Sequence, residues 1–342
     1  MQAMAQLLPA LEGGDETLVG GQAVLEGVMM RAPGMVATAV RRANGDIVVK
    51  KDPHRSITER FRILKWPVLR GAVGLIDMMV IGMRTLNFSA EVAMEDASSR
   101  DAHNGNGRPH KPGKKRESLR LALTVAVSLV VGVAIFFLTP LAVTTSLFDV
   151  EQDPFWFNLI AGGIRISLLL LYLGVISMMK DIDRLFQYHG AEHKAVFAFE
   201  LGKPLDIANA ARQSRFHPRC GTSFLLIVMI VSILLFSVFD ALLIRSLGAI
   251  DLLTRLLTHL PLIPFVGGVS YEVIRISAKR SDTVLGKIVV APGLWLQRIT
   301  TREPDDSQLE VALVALRHAL GKDEAPEPVP LSLLSSQPIS IN

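Results

Sequence analysis

The sequence predicts a mainly α-helical, polytopic membrane protein with about four transmembrane helices, a small cytoplasmic β element and cytoplasmic amphipathic helices. Three observations point there. Half of the 342 residues are hydrophobic and the mean hydropathy is +0.37, a balance that a bilayer explains better than two soluble domains. Several apolar runs are long enough to cross roughly 30 Å of hydrocarbon. The basic residues, finally, are distributed very unequally among the connectors.

The first span is the clearest, because Leu121 to Leu138 carries no charge and the apolar stretch continues to Val143. Phe157 to Met179 contains Arg165, and Phe224 to Ile244 is interrupted only by Asp240 near its end. A fourth candidate, about Leu256 to Ile276, holds His259, Pro261, Pro264, Gly267 and Gly268 and so reads as a kinked or broken helix. Isolated charges in hydrocarbon are costly, so Arg165 and Asp240 are expected to pair inside the bundle. The rival is a polar transport path lined by Arg165, Asp240, Arg255 and His259.

Lys and Arg decide the expected orientation. Residues 1 to 120 hold 18 of the 36, the connector 180 to 221 holds 7, and residues 275 to 342 hold 8. The connector 144 to 156 has none and offers Asp149, Glu151 and Asp153. The positive-inside rule then places both termini and the 180 to 221 connector in the cytoplasm, with four spans across the membrane. The net charge of +4 is explained by topology and anionic lipid, without nucleic acid. No cleavable signal peptide is legible at the N-terminus. The single cysteine, Cys220, excludes an intrachain disulfide and is free to be a thiol or a ligand.

Outside the spans, residues 1–65 form a cytoplasmic segment with a β-hairpin, whose strands Val36 to Arg42 and Asp46 to Lys50 flank Asn44-Gly45 as a two-residue turn. Residues 66–96 read as an amphipathic or interfacial helix, since Arg70, Asp77 and Arg84 recur every seven residues and make one polar stripe. Lying on the membrane, rather than crossing it, keeps the span count even. Residues 97–118 are polar, basic and Gly/Pro-containing, and read as a disordered linker. The transmembrane region covers 119–276, and a cytoplasmic helical region covers 277–322. There Ser307-x-x-Glu310 opens an amphipathic helix. The tail 323–342 is Pro- and Ser-rich and reads as loose.

The chemically informative segment is Tyr188-His-Gly-Ala-Glu-His-Lys194. On a helix, His189 and His193 lie one turn apart on one face and could hold a single divalent metal ion, zinc by preference. Glu192 points about 100° round the helix and could serve as the catalytic base for a water activated by the ion. With 8 His in the chain, this spacing is expected on the order of 0.2 times by chance, and with Glu in place on the order of 0.01 times. The plain alternative is a charged helix end. A third ligand can come from His217 or Cys220, close together in the same connector, or from the carboxylates Glu272 and Glu26. Arg31 or Arg219 could pair with an anionic substrate, and Gln22 belongs to the same glycine-flanked N-terminal segment.

The order H-x-x-E-H resembles the inverted zinc-protease motif, a short similarity. A broader one runs from about residue 18 to 318. Residues GGQAVLEGVMMR, Pro67-Val-Leu-Arg-Gly71, YHGAEHK, RFHPRCGTSF and PGLWLQRITTREP are together similar to the bacterial YqhQ family. That resemblance implies integral-membrane proteins of unknown function, suggested to be metal-dependent enzymes. Its motifs fall here on Gly21, Gln22, Glu26, Gly27, Arg31, His189, Glu192, His193, His217, Pro218, Cys220, Glu272, Gln297, Thr300 and Thr301, with no established role attached to any. The leading expectation is a metal-dependent, hydrolytic membrane enzyme with a cytoplasm-facing site. A non-enzymatic scaffold or assembly factor contacting a partner protein is the alternative, and a transporter the third. Oligomeric state is not legible in the sequence.

Overall fold

A computed structural model describes residues 19–103, 114–148, 152–279 and 283–322. Four strands follow one another in a single antiparallel sheet: β1 (Gly20–Val24), β2 (Gly27–Ala32), β3 (Met35–Arg41) and β4 (Ile47–Pro53). The β3–β4 hairpin lies where the Asn-Gly signal puts it, but its turn is longer than two residues. The Arg42 N–H donates to the Asp46 carbonyl at 2.8 Å and the Gly45 N–H to the Arg42 carbonyl at 3.0 Å. Only Gly45, at φ +95°, takes the left-handed conformation, so the loop is a three-residue one closed by glycine. The preceding hairpin, β1–β2, carries no such signature. Its two-residue turn, Leu25-Glu26, puts Glu26 itself at φ +51°, which no turn preference announces.

Alternation sorts the sheet into two faces. Val28, Met30, Ala37 and Ala39 point to one side, while Met29 and Val36 point to the other with Val24 and Val40. The second face packs on α2 (Leu69–His103) through Met78, Ile81, Phe88 and Val92. On the first face lie two helices, α6 (Lys180–Glu200) and α11 (Asp306–Ala319). Between β4 and α2, the chain makes the short α1 (Ile57–Arg60) and a 3-10 turn, Arg62–Lys65.

The polar-stripe reading of 66–88 meets a different arrangement. Asp77 is buried at 3% exposure under the sheet, where it meets His54 at 3.1 Å, whereas Arg84 is exposed. The helix also extends beyond 96. It ends at His103, and α3 (Lys114–Val133) starts before the linker expected over 97–118 is finished; the residues between lie outside the described ones, as does the tail from 323.

Four helical segments are long and apolar enough to cross a membrane. The first, Leu123–Leu147, combines α3, a π-helical turn at Ala134–Leu138 and α4 (Thr139–Leu147). The others are α5 (Pro154–Ile176), α8 (Gly221–Leu247) and the part of α9 (Leu252–Lys279) from Leu252 to Ser277. The break expected in the fourth does not occur. Pro261 and Pro264 both sit inside a continuous helix.

The expected Arg165–Asp240 pair does not form. Arg165 donates from Nε to the Phe136 carbonyl at 2.9 Å, inside the π turn. A π turn displaces carbonyls from the regular ladder, and a guanidinium satisfies one without a carboxylate. Asp240 is instead held by Asn158 Nδ2 at 2.8 Å, Arg255 Nε at 3.2 Å and His259 Nε2 at 2.7 Å. The carboxylate, Arg255 and His259 are all 0% exposed, with Phe236 stacked on His259 and Phe157 under Arg255.

After the bundle, α7 (Ile207–Ala211) interrupts the 180 to 221 connector, and α10 (Val284–Thr300) follows α9. The capping box of α11 begins two residues before the expected Ser307. Asp305 accepts from the Gln308 N–H while the Gln308 side chain accepts from the Asp305 N–H. Ser307 merely donates to Asp305 at 2.6 Å.

Candidate metal centre

One helix supplies most of the site. Along α6, Leu185, Phe186, His189, Glu192, His193 and Val196 form a stripe at helical spacing that lines a cavity of about 860 Å³. Its other walls come from β1, the β2–β3 turn, and the ends of α8 and α9 nearest the sheet. The Gly190 in the middle of H-G-A-E-H has a packing cause. A Cβ there would overlap the carbonyl oxygen of Arg302, and the Arg302 N–H donates to the Phe186 carbonyl at 2.9 Å. Glycine therefore lets the segment leaving α10 lie directly on α6, which delivers the Thr300 carbonyl to His189.

His189, His193 and Cys220 place one ligand atom each within 4.8 Å of one another. His189 Nδ1 lies 2.8 Å from the Thr300 carbonyl and His193 Nδ1 lies 2.5 Å from that of Arg215. A carbonyl only accepts, so both Nδ1 atoms carry hydrogen, and Nε2 is the atom left to face the cluster. This is how imidazole ligands are oriented around metals. His193 Nε2 is buried with no hydrogen-bond partner among the described residues, and an unpaired buried nitrogen is costly unless something binds it. His189 Nε2 approaches Cys220 Sγ at 3.2 Å. The donor set, two imidazoles and a sulfur, fits a tetrahedral zinc-type ion with one position open.

The same three residues are coupled electrostatically. Burial opposes the His189 charge, but the adjoining Cys220 sulfur and Glu192 outweigh it and hold the imidazole up at about 9. Burial likewise opposes the Cys220 thiolate, yet His189 and His193 bring the thiol well below its usual value. Cys220 also sits at the N-cap of α8, where the Thr222 N–H donates to its sulfur at 3.4 Å. A thiolate is the form that binds metal.

Glu192 lies at the rim of this cluster, as its place in the motif implies. Its Oε2 is 3.9 Å from His189 Nε2 and the residue is 7% exposed. Gly21 makes room for it, since a Cβ on that glycine would stand 2.7 Å from Glu192 Cγ. Gln22, next in β1, turns to the opposite face, with its Oε1 against Gly82 of α2. Both line the cavity, together with Arg31 and Arg219. Arg31 rests against Met78 Sδ at 2.8 Å and lies 3.7 Å from Asp77, while Arg219 is paired with Glu200.

Three candidate ligands are placed elsewhere. His217 accepts the Arg219 N–H on Nδ1 and directs Nε2 to Glu200 at 3.2 Å, so neither nitrogen is left for an ion. It packs beside His193, with ring centroids 5.6 Å apart, and is a positioning residue. Glu272 is engaged by Arg70 Nε at 2.7 Å and the Val68 N–H at 3.4 Å, which ties α9 to α2. Glu26 in the β1–β2 turn pairs with Arg184 and accepts from Tyr188 at 3.3 Å, facing a separate, smaller cavity.

Sequence reasoning did not single out Glu200, Arg215 or the His54–Asp77 pair. Arg215 acts through its backbone carbonyl, which no side-chain pattern reveals. Gln297, a motif position without a role, bridges by accepting the His217 N–H at 2.7 Å and donating to the His217 carbonyl at 2.7 Å and to Ser223 Oγ at 2.9 Å. It thus fixes the turn that leads into Cys220.

Residues 66–322 match the family described as "Protein of unknown function (DUF1385)". The chain is also 36% identical over 308 residues to the uncharacterized protein YqhQ of Bacillus subtilis (strain 168), an alignment covering 88% of this chain and 92% of that protein. No solved structure matches. The chain belongs to the DUF1385 family.

Proposed function

We propose that this member of the DUF1385 family is a membrane-embedded, metal-dependent hydrolase of a bacterial inner membrane. Its site lies at the bundle end where α5 ends and α8 begins, and the Lys/Arg bias turns that end to the cytoplasm. His189, His193 and Cys220 hold one divalent ion, zinc by donor chemistry. The observation that carries this reading is the pair of Nδ1-to-carbonyl bonds, which leaves the buried, partnerless His193 Nε2 within 4.8 Å of its two co-ligands. When bound, the ion supplies Lewis acidity and lowers the pKa of a water to about 7. Glu192 is the residue that would accept a proton from the attacking water and return it to the leaving group. Thr300 and Arg215 hold the imidazoles, and Gln297 with His217 holds the loop before Cys220.

The test is metal analysis of the full chain purified without chelators, beside a variant carrying both His189→Ala and His193→Ala. About one equivalent of divalent metal in the wild type and none in the double variant is expected, with Glu192→Gln retaining its metal. Wild-type protein free of metal ends the metalloenzyme reading. If Cys220 in that protein is also alkylated rapidly, the 3.2 Å His189–Cys220 contact acts as a thiolate–imidazolium nucleophile instead.

A further inference from the structure

We infer that the free edge of β1 is a docking strand for an extended polypeptide, and that the substrate of the site is a peptide bond. The inference rests on the hydrolase reading for its chemistry, and on the sheet for its substrate class.

The sheet order β1-β2-β3-β4 leaves β1 at an edge. Val24 pairs with Gly27 across a two-residue turn, so they form the hydrogen-bonded pair that closes the hairpin. Antiparallel alternation then makes Gln22↔Met29 and Gly20↔Arg31 the bonded pairs. Gly21 and Ala23 are left to direct their N–H and C=O groups away from β2, and no hydrogen bond from a described residue reaches them.

That edge is not on open surface. Val19 to Ala23 line the same cavity as His189, Glu192, His193 and Cys220. The five residues offer about 17 Å of edge at 3.4 Å per residue. Gly21 touches Glu192, so the outward groups of β1 run beside the base and the ligand stripe of α6. An exposed edge strand is a template for another strand, and natural proteins cover or blunt it unless it is used. Here Gly20 and Gly21 leave it unobstructed. A chain added to β1 exchanges main-chain bonds with Gly21 and Ala23 and lies along α6, with one of its carbonyls toward His189, His193 and Cys220. A lipid ester has no repeating N–H and C=O groups to match that edge, which is why a polypeptide is favoured. In the reaction the water oxygen bonds to the peptide carbonyl carbon and the C–N bond breaks. The proton taken by Glu192 passes to the departing amine, giving a carboxylate and an amine without redox change.

The experiment uses the full chain in detergent, as the metal-loaded Glu192→Gln variant, which binds without turning over. A pool of short peptides from a digested unfolded protein is passed over it, and the retained peptides are identified by mass spectrometry. One is then resynthesised with alternate backbone amides N-methylated. Ala23→Pro removes one outward N–H on an edge strand, where proline is tolerated, and metal content with a thermal melt reports whether that variant is folded. Retention should fall roughly tenfold in Ala23→Pro at unchanged metal content, and similarly for the N-methylated peptide on the unmutated strand, the size of one or two lost hydrogen bonds. Equal retention of methylated and unmethylated peptide overturns the docking strand, whatever the folding of the proline variant. So does the absence of any retained peptide, including the case where phospholipid vesicles are hydrolysed by the wild type instead. Retention that depends on backbone amides in a protein holding no metal keeps the docking strand and removes the hydrolase.

Discussion

Gly190 lies directly beneath the carbonyl oxygen of Arg302, so closely that no Cβ fits between them. The contact seats the segment after α10 on α6, and Thr300, two residues before Arg302, supplies the acceptor for His189. Backbone contact between two elements thus fixes the orientation of the His189 imidazole.

Gly190→Ala should therefore act on stability and metal together. Overpacking costs about 1–3 kcal/mol, and displacement of the carbonyl that orients His189 should weaken metal affinity about 10- to 100-fold. Chemical denaturation and competition with a chelator would measure the two. Unchanged affinity in a destabilised variant would mean that Thr300 does not orient the ligand.

His217 and Cys220 should separate cleanly. Since both His217 nitrogens are engaged, His217→Ala is expected to keep its full metal equivalent, whereas Cys220→Ala should lose most of it. The measurement is metal content after gel filtration. Equal loss in both variants would return His217 to the ligand set.

Asp240 should be coupled to Arg255 and not to Arg165. Asp240→Asn strands two buried groups and should cost about 3–5 kcal/mol, while combining it with Arg255→Met should cost less than the sum of the single changes. Asp240→Asn with Arg165→Met should be additive. Double-mutant cycles in detergent would decide, and coupling to Arg165 would contradict the geometry.

Glu200 gives a pH dependence of known sign. Burial opposes its charge, but the hydrogen bond from His217 and the Arg219 charge outweigh it and hold the carboxyl below its ordinary value. A carboxylate with a depressed folded pKa stabilises above its unfolded value, near 4.3, and that stabilisation is lost as pH falls through the folded value. The gap between wild type and Glu200→Gln, about 1–3 kcal/mol at pH 7, should close in melts carried out below about pH 4. A gap independent of pH would show that the charge is not what stabilises.

What was legible in the sequence was carried by local regularity. Long uncharged runs marked the four apolar helices, and H-x-x-E-H spacing put His189 and His193 on one face, because a helix repeats every 3.6 residues whatever surrounds it. The β3–β4 hairpin showed itself through Asn44-Gly45, and β1–β2 did not, because Glu26 holds a positive φ that only its neighbours stabilise. At 97–118 polar composition suggested a linker, whereas α2 runs to His103 and α3 begins at Lys114.

The sequence by itself determined the class of the chain, the pair of imidazoles and the carboxylate beside them. Only the tertiary structure brought the Cys220 sulfur to the two imidazoles while engaging His217 and Glu272 elsewhere, exchanged the Arg165–Asp240 pair for Asp240 with Arg255 and His259, and set the edge of β1 beside Glu192. Each of these joins elements whose meeting depends on the path of the chain between them, 31 residues from His189 to Cys220. Several residues of one chemical type compete for such a place, and the selection is made by backbone groups, the carbonyls of Thr300, Arg215 and Arg302, which every residue possesses and no side-chain pattern records.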